Sequence, residues 1–365
     1  MKMKTVKKTG VFYLTVCLMF MFQACEKDND GPNESSKVGP YTDGIFFTNE
    51  GAWGANNGSI GFYSSSGDSV VNEVFAQEND GFALGDVVQS AATYGDEAWI
   101  VVNASNSIYT ADRHSMKAKE VIEELNNPRY LAFHEESAYL TEWGHGGVVL
   151  KIDTTSLLVT DTIDVGTGPE RMLVNNNELW VANSGAYTRD SVVTVIDLTN
   201  DNVTASIISG DNPVDLVKDL NGDIWVLCVG YVEYAADFSI ALETGSKLVQ
   251  VNGNTKEVMK EMPISETQHP TNLEIDKAGE NLYIGGGYGF PGVYKVSITD
   301  TQFPAEAFID KSAYGLGYDN DSESLYVFEA PTFTDAGVAY RYNNAGELLS
   351  TFETGIGPNG LAKNY

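Results

Sequence analysis

Apolar and polar residues alternate along most of the chain after residue 43, in short runs separated by turn-forming residues, which is the pattern of half-buried β-strands. A short apolar strand that opens on an aromatic residue recurs seven times, with its leading aromatics 53, 40, 41, 45, 58 and 43 residues apart. Spacing of this kind indicates one supersecondary unit copied along the chain. The seven strands are FFTN (46–49), WIVVN (99–103), YLTEW (139–143), WVAN (180–183), WVLC (225–228), YIGG (283–286) and YVFE (326–329).

Each copy of the unit contains four strands. A loop and a polar-turned hairpin follow every aromatic strand, and a further short strand precedes it from the third copy onward. Four of these preceding strands open with proline: PRYLAF, PERMLV, PVDLVKD and PTNLEID. Seven units of four strands predict an all-β, seven-bladed β-propeller over residues 44–365, with no helix.

The first unit lacks a preceding strand of its own, since residues 26–43 are polar. The C-terminus supplies an additional segment of the right kind, PNGLAKNY (358–365). We therefore expect this C-terminal strand to become the innermost strand of the first blade and close the ring, which would remove an open sheet edge.

The loops between the second and third strands of the blades differ from the other turns. They should emerge on one face of the ring, here called the upper face, together with the connections between blades. Six of the seven carry aromatic residues, and the first, NEGAWGANNGS (49–59), is much longer than a hairpin turn requires. A rigid scaffold that presents variable loops is a common way to build a binding site.

Aromatic, amide and cationic side chains of this face are the candidate ligand-binding residues. The alternative is that the rings pack on one another and cap the propeller. The candidates are Asn49, Trp53, Asn56, Asn57, Phe82, Arg129, Tyr130, Trp143, His145, Arg171, Tyr187, Tyr231, Tyr234, Tyr288, Phe290, Tyr314 and Phe333.

The pattern of the first 43 residues predicts an export signal and a tether rather than a part of the folded domain. Four lysines precede a thirteen-residue apolar run (10–22), which is too short to span a bilayer and is typical of a signal peptide over residues 1–24. The segment ending in Ala24 and Cys25 resembles a bacterial lipoprotein signal, which implies a lipidated Cys25; ordinary secretion is the alternative. Residues 25–43 are acidic and polar, as expected of a flexible tether.

Charge and cysteine content narrow the function classes. The formal net charge is −29, from 22 basic and 51 acidic residues. Removing residues 1–24 takes four lysines and gives 18 − 51 = −33, which excludes nucleic acid as a partner and leaves the lipid anchor as the only membrane contact. Of the three cysteines, only Cys228 would remain unmodified in the folded part, so no disulfide is expected.

Few residues could support catalysis. Of the four histidines, only His145 and His269 belong to the upper face. The two histidines together with Glu142 or Glu170 could bind a divalent metal or act as acid and base, but the blades of the two histidines are not adjacent. We therefore expect a protein that is not an enzyme and holds neither metal nor cofactor, with a metal-dependent lyase or lactonase as the alternative.

Two resemblances sharpen this prediction. The segment from VVLKIDTTS to DSVVTVIDL (148–198) resembles the propeller repeat named for its YVTN tetrapeptide, with WVAN in its place. The stretches TNEGAWGANNGSIGFYSSSGDSVV and GVAYRYNNAGELLSTFETGIGP resemble the Bacteroidetes surface lipoproteins that capture vitamin B12.

The second resemblance implies a ligand, a partner and a location. The protein would bind cobalamin or a related corrinoid at the cell surface, anchored to the outer membrane by Cys25, and deliver it to a TonB-dependent transporter. Asparagine side chains could pair with the amides of the corrinoid, and aromatic rings could cover its apolar edges. A module that binds glycans or proteins is the remaining alternative.

Overall fold

Seven antiparallel sheets, one for each blade, follow one another along the described part of the chain, and an eighth, two-stranded sheet is inserted in blade five. The computed structural model describes residues 39–365 apart from residue 288. Blade one contains β1 (Gly44–Asn49), β2 (Ser59–Ser64) and β3 (Ser69–Val71). Blade two contains β4 (Val88–Tyr94), β5 (Glu97–Val102), β6 (Ser107–Asp112) and β7 (Ala118–Ile122). Blade three contains β8 (Pro128–His134), β9 (Ser137–Glu142), β10 (Val148–Asp153) and β11 (Val159–Asp164).

The remaining blades continue the same order. Blade four contains β12 (Pro169–Asn175), β13 (Glu178–Asn183), β14 (Val192–Asp197) and β15 (Asn202–Ile208). Blade five contains β16 (Pro213–Lys218), β17 (Ile224–Cys228), β20 (Ser246–Val251) and β21 (Val258–Ser265), and a separate hairpin of β18 (Tyr231–Tyr234) and β19 (Ile240–Thr244). Blade six contains β22 (Asn272–Ile275), β23 (Asn281–Gly285) and β24 (Tyr294–Ser297); blade seven contains β25 (Gly315–Asp319), β26 (Ser324–Glu329), β27 (Ala336–Tyr342) and β28 (Leu348–Ile356).

The predicted C-terminal closure is confirmed. Strand β29 (Pro358–Asn364) pairs with β1 as the innermost strand of blade one, with Phe47 opposite Leu361. The seven-bladed β-propeller predicted from the repeat is therefore the observed fold. Because the last strand joins the first blade, the ring is closed by hydrogen bonds between the two ends of the described chain.

The repeated aromatic strands form the core. Trp99, Trp180 and Trp225 are fully buried, as are Tyr139, Tyr283 and Tyr326 at the same position of other blades. The described residues contain seven apolar clusters, and each joins one blade to the next, including blade seven to blade one. Burying a large apolar side chain contributes about 2–3 kcal/mol, so these aromatics hold the blades together. Cys228 is buried in one of the clusters.

The structure corrects two expectations. A short helix, α1 (Val74–Glu78), and a single 3-10 turn at Gly144–Gly146 occur where no helix was expected. Helix α1 buries Val74 and Phe75 between blades one and two. The segment is helical because this burial outweighs the preference of its residues for a strand. Blade six has three strands instead of four, because only one bridge, Val293 to Ile309, represents its outer strand. Pro304 interrupts that stretch and cannot donate a ladder hydrogen bond.

Within the described residues, no helix is both long and apolar enough to cross a membrane.

Candidate functional site

The upper ends of the inner strands share a backbone irregularity. In blades one to five the register shifts by one residue there, so the inner strand carries one more residue than its partner. In blade three, Arg129 and Tyr130 together occupy the place opposite Thr141; in blade four, Glu170 and Arg171 lie opposite Ala182. A β-bulge of this kind redirects side chains, and here it brings consecutive polar residues to the mouth of the central channel.

Two ion pairs join blades three, four and five at this mouth. Arg129 makes a bidentate pair with Glu170, with Nε and Nη2 each 3.1 Å from a carboxylate oxygen. Arg171 Nε lies 3.2 Å from Asp215 Oδ2. The Arg171 guanidinium also stacks on the ring of Tyr130, 4.6 Å from its centroid. Planar bidentate and stacked geometry fixes both arginines in place.

A second polar group links blade one to blade seven. Tyr314 donates its hydroxyl to Glu50 Oε2 at 2.7 Å, and Asn359 donates to Glu50 Oε1 at 3.1 Å. Burial, and then the neighbouring Glu50 carboxylate, raise the pKa of Tyr314. Glu50 directly follows β1 and belongs to the long loop 49–59, so this loop is tied to the channel mouth.

A small cavity of about 200 Å³ lies along the inner strands beside these groups. Asp215 and Glu274 line it together with Arg171 and Tyr130, and Gln89, Ser90, Thr48 and Asn359 supply neutral polar groups. Burial raises the pKa of Asp215 to about 6, although Arg171 and the N–H groups of Leu216 and Leu273 oppose the shift. Burial raises the pKa of Glu274 to about 7; Arg171 opposes this rise and Asp215 adds to it.

Two aromatic stacks connect the mouth to the upper surface. The Trp143 ring lies over the Arg129 guanidinium, with 4.3 Å between Arg129 Cζ and the ring centroid. Trp143 also meets Tyr187 edge to face, with 5.4 Å between the two ring centroids. On the opposite side of the ring, Tyr314 meets Phe333 edge to face at 5.4 Å. The outermost rings are exposed to solvent: Tyr187 is 91% and Phe333 is 59% exposed.

The loop 49–59 holds an exposed aromatic on a fixed backbone. Glu50 and Gly51 donate to the carbonyls of Gly357 and Ile356 at 2.9 Å, and Gly54 donates to Asp86 Oδ2 at 2.7 Å. Gly51 has a φ of +84°, which a residue with a side chain adopts only with strain. Trp53 between these anchors is 80% exposed. The loop is therefore ordered while its indole ring faces solvent.

The other candidates lie in varied positions. Asn49 is buried and bonds through Nδ2 to the carbonyl and hydroxyl of Ser59, and Phe290 is buried in the apolar cluster between blades five and six. Phe82 packs on Phe75 of α1 and Tyr109 of β6, between blades one and two and away from the channel lining. Asn56, Asn57 and His145 are exposed. Tyr288 lies outside the described residues.

Blade five carries the hairpin of β18 and β19 in place of a simple loop. Tyr231 lies at its base, 5.8 Å from the Arg189 guanidinium carbon to the ring centroid. Tyr234 and Phe238 lie toward its tip and are largely exposed. His269, one of the two upper-face histidines, anchors the base: its Nδ1 lies 2.5 Å from Val229 O and its Nε2 lies 3.2 Å from Glu243.

The groups considered for catalysis are separated. His145 is exposed on blade three, whereas His269 pairs with Glu243 on blade five. Glu142 is buried and accepts the backbone N–H of Asn126. In the part of the chain that the structure describes, no group of three or more His, Cys, Asp or Glu side chains is arranged to hold a metal ion.

Several residues at the channel mouth were missing from the sequence-based candidates: Glu50, Gln89, Asp215, Glu274 and Asn359. Glu170 was considered only as a partner for histidine. The proline-led strands contained a usable signal, since PRY, PER and PVD each place a charged residue just after the proline, inside an otherwise apolar strand. Charged residues at such positions are rarely buried unless they are paired, so they could have been predicted to face one another.

Comparison with protein families identifies the family to which the chain belongs. The model of the family described as "Domain of unknown function (DUF5074)" matches residues 43–354, which is nearly the whole propeller. The chain belongs to this family. In this protein the matched region folds as the seven-bladed propeller described above, and the family description assigns no activity to it. No curated protein is detectably similar to the chain in sequence.

Solved structures support the fold alone. A quinonprotein alcohol dehydrogenase-like protein from Bacteroides thetaiotaomicron is similar with a TM-score of 0.63 at 16% identity, covering 89% of this chain and 79% of that one. A 6-phosphogluconolactonase candidate from Bacteroides fragilis gives 0.61 at 11%, covering 87% and 97%. Apo AztD from Citrobacter koseri gives 0.54 at 8%, covering 88% and 98%. At such low identity none of these similarities carries a function to this chain.

Proposed function

We propose that this DUF5074 protein is a surface lipoprotein that binds a large, flat ligand on its upper face, most specifically cobalamin or a related corrinoid. The observation that carries the proposal is the set of solvent-exposed aromatic rings on ordered upper-face loops: Trp53, Tyr187 and Phe333. Large apolar groups gathered on one face often mark an interaction site, and aromatic rings are frequent anchors at such sites.

The arrangement suits a broad ligand better than a small one. Tyr187 and Phe333 lie on different blades, and each rests on an inner aromatic that reaches the channel mouth. A disc lying across the mouth would contact several blades at once. The exposed amide of Asn56 is available to the amide fringe of a corrinoid, as is the Nδ2 group of Asn57, whose Oδ1 accepts the N–H of Ala52. The resemblance to vitamin B12-capturing lipoproteins implies such contacts.

We further propose a binding role without catalysis, with Cys25 as the lipid anchor and a TonB-dependent transporter as the recipient of the ligand. In this role the rigid loop 49–59 lowers the cost of ordering Trp53 on binding. The negative charge of the protein is compatible with a ligand that is not strongly anionic, and with a basic surface on the recipient.

The experiment is a titration of the purified protein with cyanocobalamin, followed by size-exclusion chromatography and absorbance of the red chromophore. We expect stoichiometric co-elution and recovery of the ligand with its spectrum unchanged. The Tyr187→Ala and Phe333→Ala variants should weaken the affinity, whereas Leu220→Ala, which removes an exposed apolar side chain from a short inner turn of the opposite face, should leave it unchanged. Failure of the chromophore to co-elute would refute the corrinoid assignment.

A second candidate, a protein-binding module, is favoured by the blade-five hairpin. Phe238 at its tip is 87% exposed, and Tyr234 and Ile240 are also exposed. A two-stranded hairpin with apolar residues at its tip is a poor stable unit in water and gains most from a partner surface. This role is compatible with delivery of ligand to a transporter.

A further inference from the structure

The central cavity is chemically different from the aromatic surface above it. Exposed rings dominate the upper loops, whereas the cavity is lined by side chains of the inner strands, including Gln89, Tyr130, Arg171, Asp215 and Glu274. Its volume of about 200 Å³ is too small for a corrinoid but sufficient for a few water molecules or a small organic compound. A ligand of this cavity would therefore differ from the ligand of the proposed function.

The cavity wall carries two carboxylates around one guanidinium. Asp215 pairs with Arg171 Nε and also accepts the N–H groups of Leu216 and Leu273. Glu274 feels the attraction of the same Arg171 and the repulsion of Asp215, and its carboxylate receives the backbone N–H of Tyr318. Of the two carboxylates, Glu274 is therefore the one with fewer donors.

The surrounding charges do not remove this imbalance. Arg129 is used by its bidentate pair with Glu170 and by Gln89, whose Oε1 accepts from Nη1. Lys363 of β29 attracts Glu274 less strongly than Arg171 does. With every carboxylate ionised, Glu50, Glu170, Asp215 and Glu274 exceed Arg129, Arg171 and Lys363 by one negative charge, which a proton on Glu274 offsets when no cation is bound. A half-buried carboxylate with few donors favours a cation that brings several N–H groups.

We propose that this cavity is a binding site for a small compound bearing a primary ammonium group, held by Glu274 and Asp215. An ammonium group has three donors and no acceptor, which complements two carboxylates that share one guanidinium. Gln89 and Asn359 also line the cavity, but their amides already bond to neighbouring protein groups. The Ser90 hydroxyl donates to the carbonyl of Arg129 and keeps acceptor capacity for a hydroxyl on the same compound. The ring of Tyr130 is already stacked on Arg171, so the carboxylates rather than the aromatic face select the ligand.

The test uses three probes of matched size and different charge: ethanolamine, ethylene glycol and glycolate. Each is titrated into the purified protein without corrinoid, and binding is followed by isothermal calorimetry at constant salt. We expect saturable one-to-one binding of ethanolamine, and affinity at least about tenfold lower for the neutral and anionic probes. Tighter binding of glycolate, or no saturable binding of ethanolamine, would overturn the proposal.

Two variants assign the site. Glu274→Gln and Asp215→Asn keep the side-chain shape and remove one negative charge each, so each should weaken ethanolamine binding at least about tenfold. Glu306→Gln removes the same charge from an exposed position of blade six and should not weaken it. Equal binding by Glu274→Gln and Glu306→Gln would disprove the assignment. Melting temperatures verify that each variant is folded, and Trp53→Ala should bind ethanolamine normally even if it loses a corrinoid.

Discussion

At the scale of single residues, Trp53 separates binding from stability most cleanly. Its indole is 80% exposed while the backbone on both sides is hydrogen-bonded to neighbouring connections. We predict that Trp53→Ala weakens corrinoid binding by about 2 kcal/mol or more, roughly thirtyfold, as for interface hot spots. The melting temperature should change little, because few contacts are lost. A destabilised variant that binds cobalamin normally would show that the ring caps the propeller.

Glu274 gives a prediction about pH. Its pKa in the folded protein is raised from 4.5 to about 7, chiefly by burial, with Arg171 and Lys363 opposing and Asp215 adding to the rise. The folded state therefore holds this proton more tightly than the unfolded chain, and ionising Glu274 costs stability as the pH rises from about 4.5 to 7. Glu274→Gln avoids this cost. Its stability relative to wild type should increase across that window, by up to about 1.4 kcal/mol per pH unit.

The measurement is urea unfolding of both proteins at several pH values between 4.5 and 8. The difference between them is the informative quantity, since the other carboxylates contribute equally to both. Glu306→Gln serves as the control and should show a difference that is flat with pH. A flat difference for Glu274→Gln as well would mean that this carboxylate is solvated in the folded protein.

At the scale of elements, the sequence was informative about strands and silent about their irregularities. The buried tryptophans and tyrosines and the proline-led strands predicted seven units and their closure, because alternation and turn residues are local signals. The bulges that turn both Arg129 and Tyr130 to the mouth depend on the register of a partner strand, which no local pattern encodes. The same holds for Glu274 of β22, whose environment is built from β12, β16, β25 and β29.

The conformations of the loops could likewise be predicted only in part from the sequence. The length and composition of residues 49–59 marked them as unusual, and the structure gives this loop a fixed backbone; in blade five the corresponding connection forms the hairpin of β18 and β19. The sequence placed Phe290 and Trp53 in the same class, yet Phe290 is buried and Trp53 is exposed. Burial of a loop aromatic depends on which blades meet beside it, so it could not be read from the loop itself.

Strand β29 provides the prediction for an element. It pairs with β1 along six positions, and the Asn359 amide bonds to Glu50 and to the carbonyls of Val88 and Gln89. Deleting residues 358–365 should cost several kcal/mol of unfolding free energy and expose the edge of β1, which would promote aggregation. Thermal unfolding and light scattering measure both effects. Removing Tyr365 alone is the control and should cost far less; an unchanged melting temperature for the full deletion would contradict the closure.

At the scale of the whole molecule, the propeller is an acidic body whose two candidate sites open at one end of the channel. The formal charge of −29 disfavours contact with anionic lipid headgroups, which is why the sequence leads us to expect a covalent anchor. The segment expected to provide it, with Cys25, lies outside the described residues. Its role therefore stays a prediction from the sequence, and it can be tested independently of any ligand.

The test compares two cysteine variants in intact cells. If Cys25 is acylated, the wild-type protein should sediment with membranes and be degraded by protease added outside the cells. When residues 1–24 are replaced by an ordinary cleavable secretory leader, Cys25→Ala should move the protein to the soluble fraction, because the acyl chains supply the binding free energy to the bilayer. Cys228→Ala is the matched control, since that thiol is buried between blades four and five and should not affect sedimentation. If the Cys25→Ala protein still sediments with membranes, the protein is held there by another contact and the lipoprotein assignment is wrong.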